Sequence, residues 1–283
     1  MKNLILTSIS LLFFLHVNVH GADYPNIPKE IDLSKNKTYC DVRGGKFGHT
    51  IILIDLTSDL ESSQIEFIKD QVFSKEFFLK RDPFTKFSYL LINNKHFLEQ
   101  EFVFSKCRPK TGGDGKLEKK TWTENKTFIE KYYKEFIEAS QSTQKNIFKD
   151  KVSSKYSYIY ETIASLWQNP KFDFSDKAGK RKLIIVSDML QNSERLSFYR
   201  SCNATSTDAK CPSFTKFMKN LSDRDYLTAT APKGKGVDLE MIYLNNRYET
   251  KKELDVSLIK LWENYFKDRG FVRIKTVRQL DLR

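Results

Sequence analysis

The sequence has little that would support cysteine- or histidine-based chemistry. Its 283 residues include only four cysteines and four histidines, and no two cysteines have the Cys-x-x-Cys spacing of common zinc sites. His16 and His20 lie at the N-terminus, and neither His49 nor His96 stands in a motif with a cysteine or a serine. We therefore expect no zinc site and no Ser/His/Asp or Cys/His catalytic arrangement.

The sequence also lacks a concentrated block of positive charge. The formal net charge is +12, but the lysines are spread among aspartates and glutamates. Binding to nucleic acid would favour basic residues on one face together with aromatic platforms or a recognised motif. We therefore expect no nucleic-acid partner and interpret the lysines as a solvated surface.

Only one apolar run is long enough to suggest a role at a membrane. It extends from Leu4 to Leu15, follows a single lysine and ends near Val19-His20-Gly21. This pattern is typical of a cleaved signal peptide and is too short for a spanning helix, although an uncleaved anchor is the alternative. The prediction is a signal peptide over residues 1–21, no transmembrane segment after its removal, and a periplasmic or extracellular location.

In an exported chain, an even number of cysteines predicts disulfide bonds. Four cysteines allow three pairings. Cys202 and Cys211 lie close together in one polar stretch, which favours a bond between them. That pairing leaves Cys40 with Cys107.

The glycine-rich segment between Lys110 and Lys120 does not have the pattern of a phosphate-binding loop. Gly112, Gly113 and Gly115 are followed neither by the closing Gly-Lys-Ser/Thr of a P-loop nor by a dinucleotide-binding glycine spacing. We interpret the segment as a turn.

Apolar periodicity switches repeatedly between strand-like and helix-like segments, which favours an α/β fold. Strands are predicted at 51–54, 87–92, 101–105, 183–186, 237–244 and from 271 onward, and helices after the capping pattern 63–66, after 121–124, and at 158–167, 214–221 and 256–268. This alternation predicts a doubly wound, mostly parallel central sheet with helices on both faces. We expect one domain over residues 48–283, with an N-terminal extension at 22–47 and a long loop insertion at 191–235.

Acidic and hydroxyl residues follow two of the predicted buried strands. Asp55, Thr57 and Asp59 come directly after the first, and Ser187-Asp188 ends another. Because the carboxyl ends of parallel strands meet at one edge of a sheet, these oxygens are expected to converge on a divalent-metal site. The alternative is that each aspartate caps the turn or helix after its strand.

The order of elements and these loop residues resemble a von Willebrand factor A domain. The metal-ion-dependent adhesion site of that family takes D-x-S-x-S from a first loop, a threonine from a second and an aspartate from a third. Asp55, Thr57 and Asp59 stand at the first-loop positions, Ser157 stands at the second and Asp188 at the third. Asp59 departs from the family pattern, in which this position is normally serine.

The resemblance covers roughly Gly48 to Leu280 and extends to a bacterial subgroup of exported A-like proteins with a D-x-T-x-D variant of the motif. The Trp262-Glu263-Asn264-Tyr265-Phe266 segment matches a helix of that subgroup. The resemblance implies a module that binds another envelope or extracellular protein through its metal face. Oxygen ligands of this kind suit Mg²⁺ first, with Mn²⁺ or Ca²⁺ as alternatives.

Two other functions stay open at this point. A metal-dependent phosphohydrolase would use Asp55 as its nucleophile, but Thr57 stands where the haloacid-dehalogenase-like pattern has a second aspartate. A structural subunit of an envelope assembly would use the fold without metal. We expect no enzymatic activity, because no nucleophile and base pair accompanies the candidate ligands.

Overall fold

A computed structural model describes residues 48–92, 100–111, 126–149, 154–168, 172, 174, 179–206, 208–220, 234–244 and 252–279. The predicted signal peptide, the extension at 22–47, and the glycines at 112, 113 and 115 lie outside the described residues.

The described residues contain six strands and seven helices. The strands are β1 (His49–Asp55), β2 (Lys86–Ile92), β3 (Phe104–Cys107), β4 (Arg181–Ser187), β5 (Val237–Tyr243) and β6 (Val272–Arg278). The helices are α1 (Ser62–Val72), α2 (Lys75–Leu79), α3 (Lys126–Ile147), α4 (Ile159–Gln168), α5 (Phe198–Ser201), α6 (Phe214–Asn220) and α7 (Lys252–Asp268).

The six strands form one sheet in the order β3-β2-β1-β4-β5-β6. All neighbouring pairs are parallel except β2 and β3, which are antiparallel. From β1 the chain moves outward on one side to β2 and β3, and it then returns to β4 on the other side. The predicted α/β, mostly parallel sheet is confirmed.

The central strands are buried on both faces of the sheet, as their long apolar runs require. Ile51 and Leu53 of β1 pack in a cluster with side chains of α4 and α7. Ile52 and Ile54, which point to the opposite face, pack with side chains of α1, α2 and α3. Helices therefore cover both faces, as predicted from the alternation of elements.

Two helix ends show how local chemistry sets the boundaries. The predicted capping box at Ser63 and Glu66 is wrong by two residues, because Glu61 is the N-cap of α1 and Gln64 its reciprocal partner. The backbone N–H of Glu61 donates to Oε1 of Gln64 over 2.9 Å. Gly270, two residues beyond α7, has a φ of 82°, and this left-handed conformation explains the glycine that ends the helix.

The predicted disulfide between Cys202 and Cys211 is confirmed. It lies within the predicted 191–235 loop, which also contains the short helices α5 and α6. Cys107, at the end of β3, is also disulfide-bonded. Its expected partner Cys40 lies outside the described residues, so that pairing stays a prediction.

Within the part of the chain that the structure describes, none of the helices has both the length and the apolar composition of a membrane span.

Candidate metal centre at the ends of β1 and β4

The candidate site lies where the chain changes direction across the sheet. β1 and β4 are adjacent and parallel, and the chain continues from them toward opposite edges. The loops after two such strands diverge and leave a crevice at their carboxyl ends. Asp55 ends β1 and Ser187 ends β4, so both residues face this crevice from neighbouring strands.

The Asp55 carboxylate is the centre of the site. Its Oδ1 accepts hydrogen bonds from the backbone N–H of Thr57 over 3.0 Å and from the Thr57 hydroxyl over 2.6 Å. Its Oδ2 accepts from the hydroxyls of Ser157 and Ser187 over 3.0 and 2.7 Å. Asp55 is 5% exposed. Residues from three distant segments are therefore joined by one buried carboxylate.

Ser187 directly precedes the predicted ligand Asp188 but is not itself among the ligands predicted from the sequence. Its hydroxyl accepts a hydrogen bond from the N–H of Met189 over 2.8 Å while it donates to Asp55. Met189 has a φ of 60°, which is rare for a residue with a side chain. A serine at the end of a buried strand, directly before an aspartate, was the signal in the sequence that could have identified it.

Ser157 is held in place by the segment that follows β4. Its backbone N–H and C=O both pair with Asn192, each over 2.8 Å. The neighbouring Gln191 is fully buried, and its side-chain oxygen accepts from the N–H of Tyr160 in the first turn of α4 over 2.7 Å. Its amide nitrogen donates to Glu161 over 2.9 Å. The start of α4 and the end of β4 are thus fixed relative to each other.

Asp188 lies beside this cluster and is half-buried. Its Oδ1 accepts from the N–H of Leu190 over 3.0 Å, and its Oδ2 lies 3.4 Å from the donating hydroxyl of Ser58. Burial raises the pKa of Asp188, and the negative charge of Asp55 raises it further, with a smaller contribution from Asp255. The negative charges of Asp55 and Asp188 therefore repel each other at this edge of the sheet.

Asp59 is placed differently from the other predicted ligands. It lies exposed in the loop after β1, two residues beyond the buried Thr57. The structure brings Thr57 and Ser157 to Asp55 by direct hydrogen bonds. A role of Asp59 in metal binding stays a prediction.

A further carboxylate, which sequence reasoning missed, approaches from α7. The hydroxyl of Tyr243, at the end of β5, donates to Oδ1 of Asp255 over 2.6 Å. Burial raises the pKa of Asp255, and the Tyr243 hydrogen bond and Arg278 offset part of this effect. The sequence near Asp255 does not resemble a ligand motif. Only the packing of α7 in the folded protein brings this residue close to the site.

The available ligand atoms are oxygens, which suit a hard divalent cation. The described residues contain no group of three His, Cys, Asp or Glu side chains arranged to hold a metal. A site here would therefore depend on hydroxyls together with the aspartates. Because the hydroxyls of Thr57 and Ser157 donate their protons to Asp55, their lone pairs remain available to an ion.

The same geometry weighs against Asp55 as a nucleophile. Each of its oxygens accepts two hydrogen bonds, and the side chain is almost fully buried. Hydrogen bonds of this kind stabilise the charge on a carboxylate and so lower its reactivity. The arrangement suits a residue that orients hydroxyl groups better than one that attacks a substrate.

One histidine does pair with a serine, at the opposite end of the sheet. Nε2 of His49 and Oγ of Ser88 lie 3.0 Å apart, and the Ser88 hydroxyl lies 2.9 Å from that of Ser105. His49 and Ser88 are fully buried. A substrate could not reach this pair, which we interpret as a buried polar network within the sheet.

Two comparisons with known proteins find no match for the chain. No protein-family model matches it. No curated protein matches it either.

The solved structures that are similar in part to this chain include the following three. The first is a von Willebrand factor type A protein from Catenulispora acidiphila, with a TM-score of 0.35, 8% identity, and coverage of 80% of this chain and 42% of that one. The second is a conserved hypothetical protein, BatB, from Bacteroides thetaiotaomicron, with a TM-score of 0.38, 11% identity, and coverage of 81% and 89%. The third is proximal thread matrix protein 1 from the mussel byssus, with a TM-score of 0.35, 11% identity, and coverage of 84% and 43%.

This chain spans less than half the length of the first and third of these structures. Similarities with TM-scores below 0.5 and identities of 8–11% do not establish a shared function.

Proposed function

We propose that residues 48–283 form a von Willebrand factor A-like module that binds another envelope or extracellular protein through a divalent cation. The cation, Mg²⁺ by preference and Mn²⁺ or Ca²⁺ as alternatives, would be held at the ends of β1 and β4. Thr57, Ser157 and Asp188 would supply ligand oxygens, and Asp59 would contribute from the exposed side of the loop. The module would perform no chemistry on its partner.

The observation that carries this proposal is the set of hydrogen bonds on Asp55. Three hydroxyls, from Thr57, Ser157 and Ser187, all donate to one buried carboxylate. A carboxylate that served only as a turn cap would need the Thr57 N–H alone. The two serines come from segments that lie 102 and 132 residues away, so they add nothing to a local cap.

Each residue would have a separate part in binding. Asp55 fixes the directions of the hydroxyls, and Ser187 holds Asp55 against the left-handed turn at Met189. Asp188, half-buried beside Asp55, adds a second negative charge. When bound, a cation at this position would balance those charges and offer an open coordination position to an oxygen of the partner.

Export is the second part of the proposal. The Cys202–Cys211 disulfide is typical of an oxidising compartment, and the N-terminal sequence is typical of a cleaved leader. We place the protein in the periplasm or outside the cell. Its partner would belong to the same compartment.

Metal-dependent thermal stability tests the proposal directly. At about one hundred times its dissociation constant, Mg²⁺ should stabilise the wild-type chain by about 2.7 kcal/mol, seen as a higher melting temperature. Ser157→Ala should reduce this response, because it removes a ligand oxygen. Ser165→Ala is the matched control, since Ser165 is also buried but donates only to the backbone of Thr162 within α4.

An equal response to Mg²⁺ in wild type, Ser157→Ala and Ser165→Ala would show that the ion binds elsewhere. No response in any of them, with Mg²⁺, Mn²⁺ or Ca²⁺, would favour a metal-free structural role. Pull-down from the cell envelope with Mg²⁺ and with chelator then tests the second step, the partner. Metal-dependent turnover of a phosphate ester that is lost in Asp55→Asn would instead favour the phosphohydrolase.

A further inference from the structure

Charged side chains replace apolar ones on one part of the sheet. On the face covered by α1, α2 and α3, the second half of β5 contributes Ile242 to the apolar cluster, and Leu244 directly after the strand joins it. The first half of β5 carries Asp238 and Glu240, which alternate along the strand and so lie on this same face. Because the central strands β1 and β4 are buried on both faces, this change marks a region suited to contact with something other than apolar side chains.

The charges in this region do not balance. Glu240 Oε1 lies 3.5 Å from Lys275 Nζ, and Glu240 Oε2 lies 3.8 Å from Arg81 Nη2 and also contacts Lys182 Nζ. Arg273 Nη2 lies 2.5 Å from Asp238 Oδ1. We call this group the basic face. It combines four cations with two carboxylates, and its members are Arg81, Lys182, Arg273, Lys275, Asp238 and Glu240.

The outer part of the basic face is open. The side chains of Arg273 and Lys275 on β6 are 71% and 66% exposed, whereas that of Glu240 is 12% exposed. The cations at the rim are therefore available to a second negative charge, and the carboxylates that pair with them are set deeper.

β6 is also the last strand of the sheet, and among the described residues no strand pairs with its outer edge. The ladder with β5 is irregular between Asp238 and Glu240, close to Arg273, which has a φ of 46°. From Lys275 to Arg278 the pairing is regular. This part of the edge therefore has the geometry needed to accept another strand.

We propose that the β6 edge and the basic face bind an acidic, extended segment of a partner protein. The segment would add to the sheet next to β6, with backbone hydrogen bonds giving affinity. Side chains on one face of a strand recur every second residue, at about 7 Å. Acidic side chains of the segment would thus meet Lys275 in the regular part of β6, and Arg273 at the irregularity before it.

The charges favour this occupant over two others. A second copy of the chain, paired edge to edge through β6, would place the cations of one strand against those of the other, which is unfavourable. Binding to an anionic membrane typically needs a cluster of about 4–8 basic residues. The basic face has four cations, at the lower end of this range, and two carboxylates already pair with them, so its excess of positive charge is smaller than such a cluster provides.

The cations of the basic face lie away from the candidate metal centre, although the β6 edge runs toward the same end of the sheet, where Arg278 pairs with Tyr243 and lies two strands from Ser187. Lys182 lies beside Thr50 in the register of β1 and β4, five residues before Asp55. At about 3.3 Å per residue, the basic face begins about 16 Å from the metal centre along the strands. Binding at β6 should therefore be unaffected by chelator, and it can fail or succeed independently of the proposed function.

A synthetic peptide of alternating Glu and Val, labelled with a fluorophore, tests the proposal in an anisotropy titration of the mature chain. We expect binding that weakens as salt is added. Arg273→Asn combined with Lys275→Gln should weaken it about tenfold. Asn suits the left-handed backbone at position 273, and a melting curve checks that the variant folds.

The matched control is Lys216→Gln combined with Lys219→Gln on α6, which removes the same charge from two exposed lysines elsewhere. Its affinity for the peptide should equal that of the wild type. Equal weakening in both double variants would overturn the proposal, because it would show that only net charge matters.

Two more probes separate strand addition from other modes of binding. A Glu-Val peptide with N-methyl groups at alternate residues keeps its charge but loses backbone donors, so its binding should be lost. Unchanged binding of this peptide would overturn strand addition. Binding of phosphatidylglycerol vesicles with no binding of the acidic peptide would likewise overturn the proposal in favour of a membrane.

Discussion

The indole Nε1 of Trp262 donates a hydrogen bond of 2.9 Å to the backbone oxygen of Met189. Trp262, on α7, is 2% exposed, and Met189 is the residue after Asp188. A helix near the end of the chain therefore holds the loop that carries the second carboxylate of the candidate site. The left-handed backbone of Met189 is maintained by this bond on one side and by the Ser187 hydroxyl on the other.

Trp262→Phe should therefore affect both stability and the site. The variant keeps an aromatic ring against its neighbours but removes one of two donors to the Met189 oxygen, which also accepts from the N–H of Gln191 over 3.1 Å. The loss of this hydrogen bond should cost about 0.5–1.5 kcal/mol in the free energy of unfolding. Urea unfolding measures this cost, and the Mg²⁺-dependent rise in melting temperature should also fall. Trp167→Phe is the control, because the Trp167 N–H has no hydrogen-bond partner among the described residues. Equal losses in the two variants would contradict the assigned role of Trp262.

Asp188→Asn should have opposite effects with and without metal. Burial and the Asp55 charge both disfavour the ionised form of Asp188, so its pKa is raised and its charge costs stability above its ordinary pKa. Without metal, at about pH 8, the neutral amide should leave the protein as stable as the wild type or more stable. The response to Mg²⁺ should disappear. Asp70→Asn, at an exposed position of α1, should change neither quantity.

The buried Glu161 gives a prediction for pH dependence. Burial raises its pKa, and hydrogen bonds from Ser193 and Gln191 offset only part of that effect. Because the folded state holds the proton more tightly than the unfolded chain, stability should decrease as the pH rises from about 4.3 through the raised pKa.

Glu161→Gln keeps a side-chain oxygen that can accept from Gln191. It has no carboxyl group to ionise, so it removes the decrease in stability with rising pH. We expect the variant to match the wild type at about pH 4 and to be the more stable of the two at neutral pH, as measured by urea unfolding across the range. Glu135→Gln, exposed on α3, should show no such divergence. A variant that is less stable than the wild type at neutral pH would show that the negative charge itself is needed.

Replacing both Cys202 and Cys211 with serine should lower the free energy of unfolding by about 2–3 kcal/mol. The bond closes a loop with a sequence separation of 9, and a loop of that length gives this value in the chain-entropy account. Reduction of the wild-type protein should lower its stability at least as far as the double substitution does, because it also opens the disulfide of Cys107. The N–H of Cys211 also donates to Ser257 of α7 over 2.9 Å, so Ser257→Ala should destabilise the same loop with its disulfide intact.

The sequence was enough to predict the sheet because its central strands are buried on both faces. Ile51 to Ile54 and Leu183 to Val186 are continuous apolar runs, and each ends in a polar residue where the strand leaves the core. Strand ends predicted in this way turned out to be neighbours, since β1 and β4 lie side by side. The apolar runs therefore predicted both the strands and the shared edge of the sheet at which they end.

The parts of the site that sequence reasoning missed depend on three-dimensional packing. Asp255 lies in an ordinary helix and reaches the site through Tyr243. Gln191 orders the start of α4 only because both its side chain and Tyr160 are buried together. No periodicity or spacing in the sequence reports a contact of this kind.

The long sequence separations within the site have a consequence for how the protein folds. Asp55 and Ser187 are 132 residues apart, and their contact requires β1 and β4 to be paired across everything between them. Such contacts form late, since closing a long loop costs entropy before any hydrogen bond forms. Partly folded chains and C-terminally truncated fragments that end before β4 would lack this cluster. The Asp55 cluster should therefore report that the native topology is complete, and the rate at which it appears should match the rate of the slowest productive folding step.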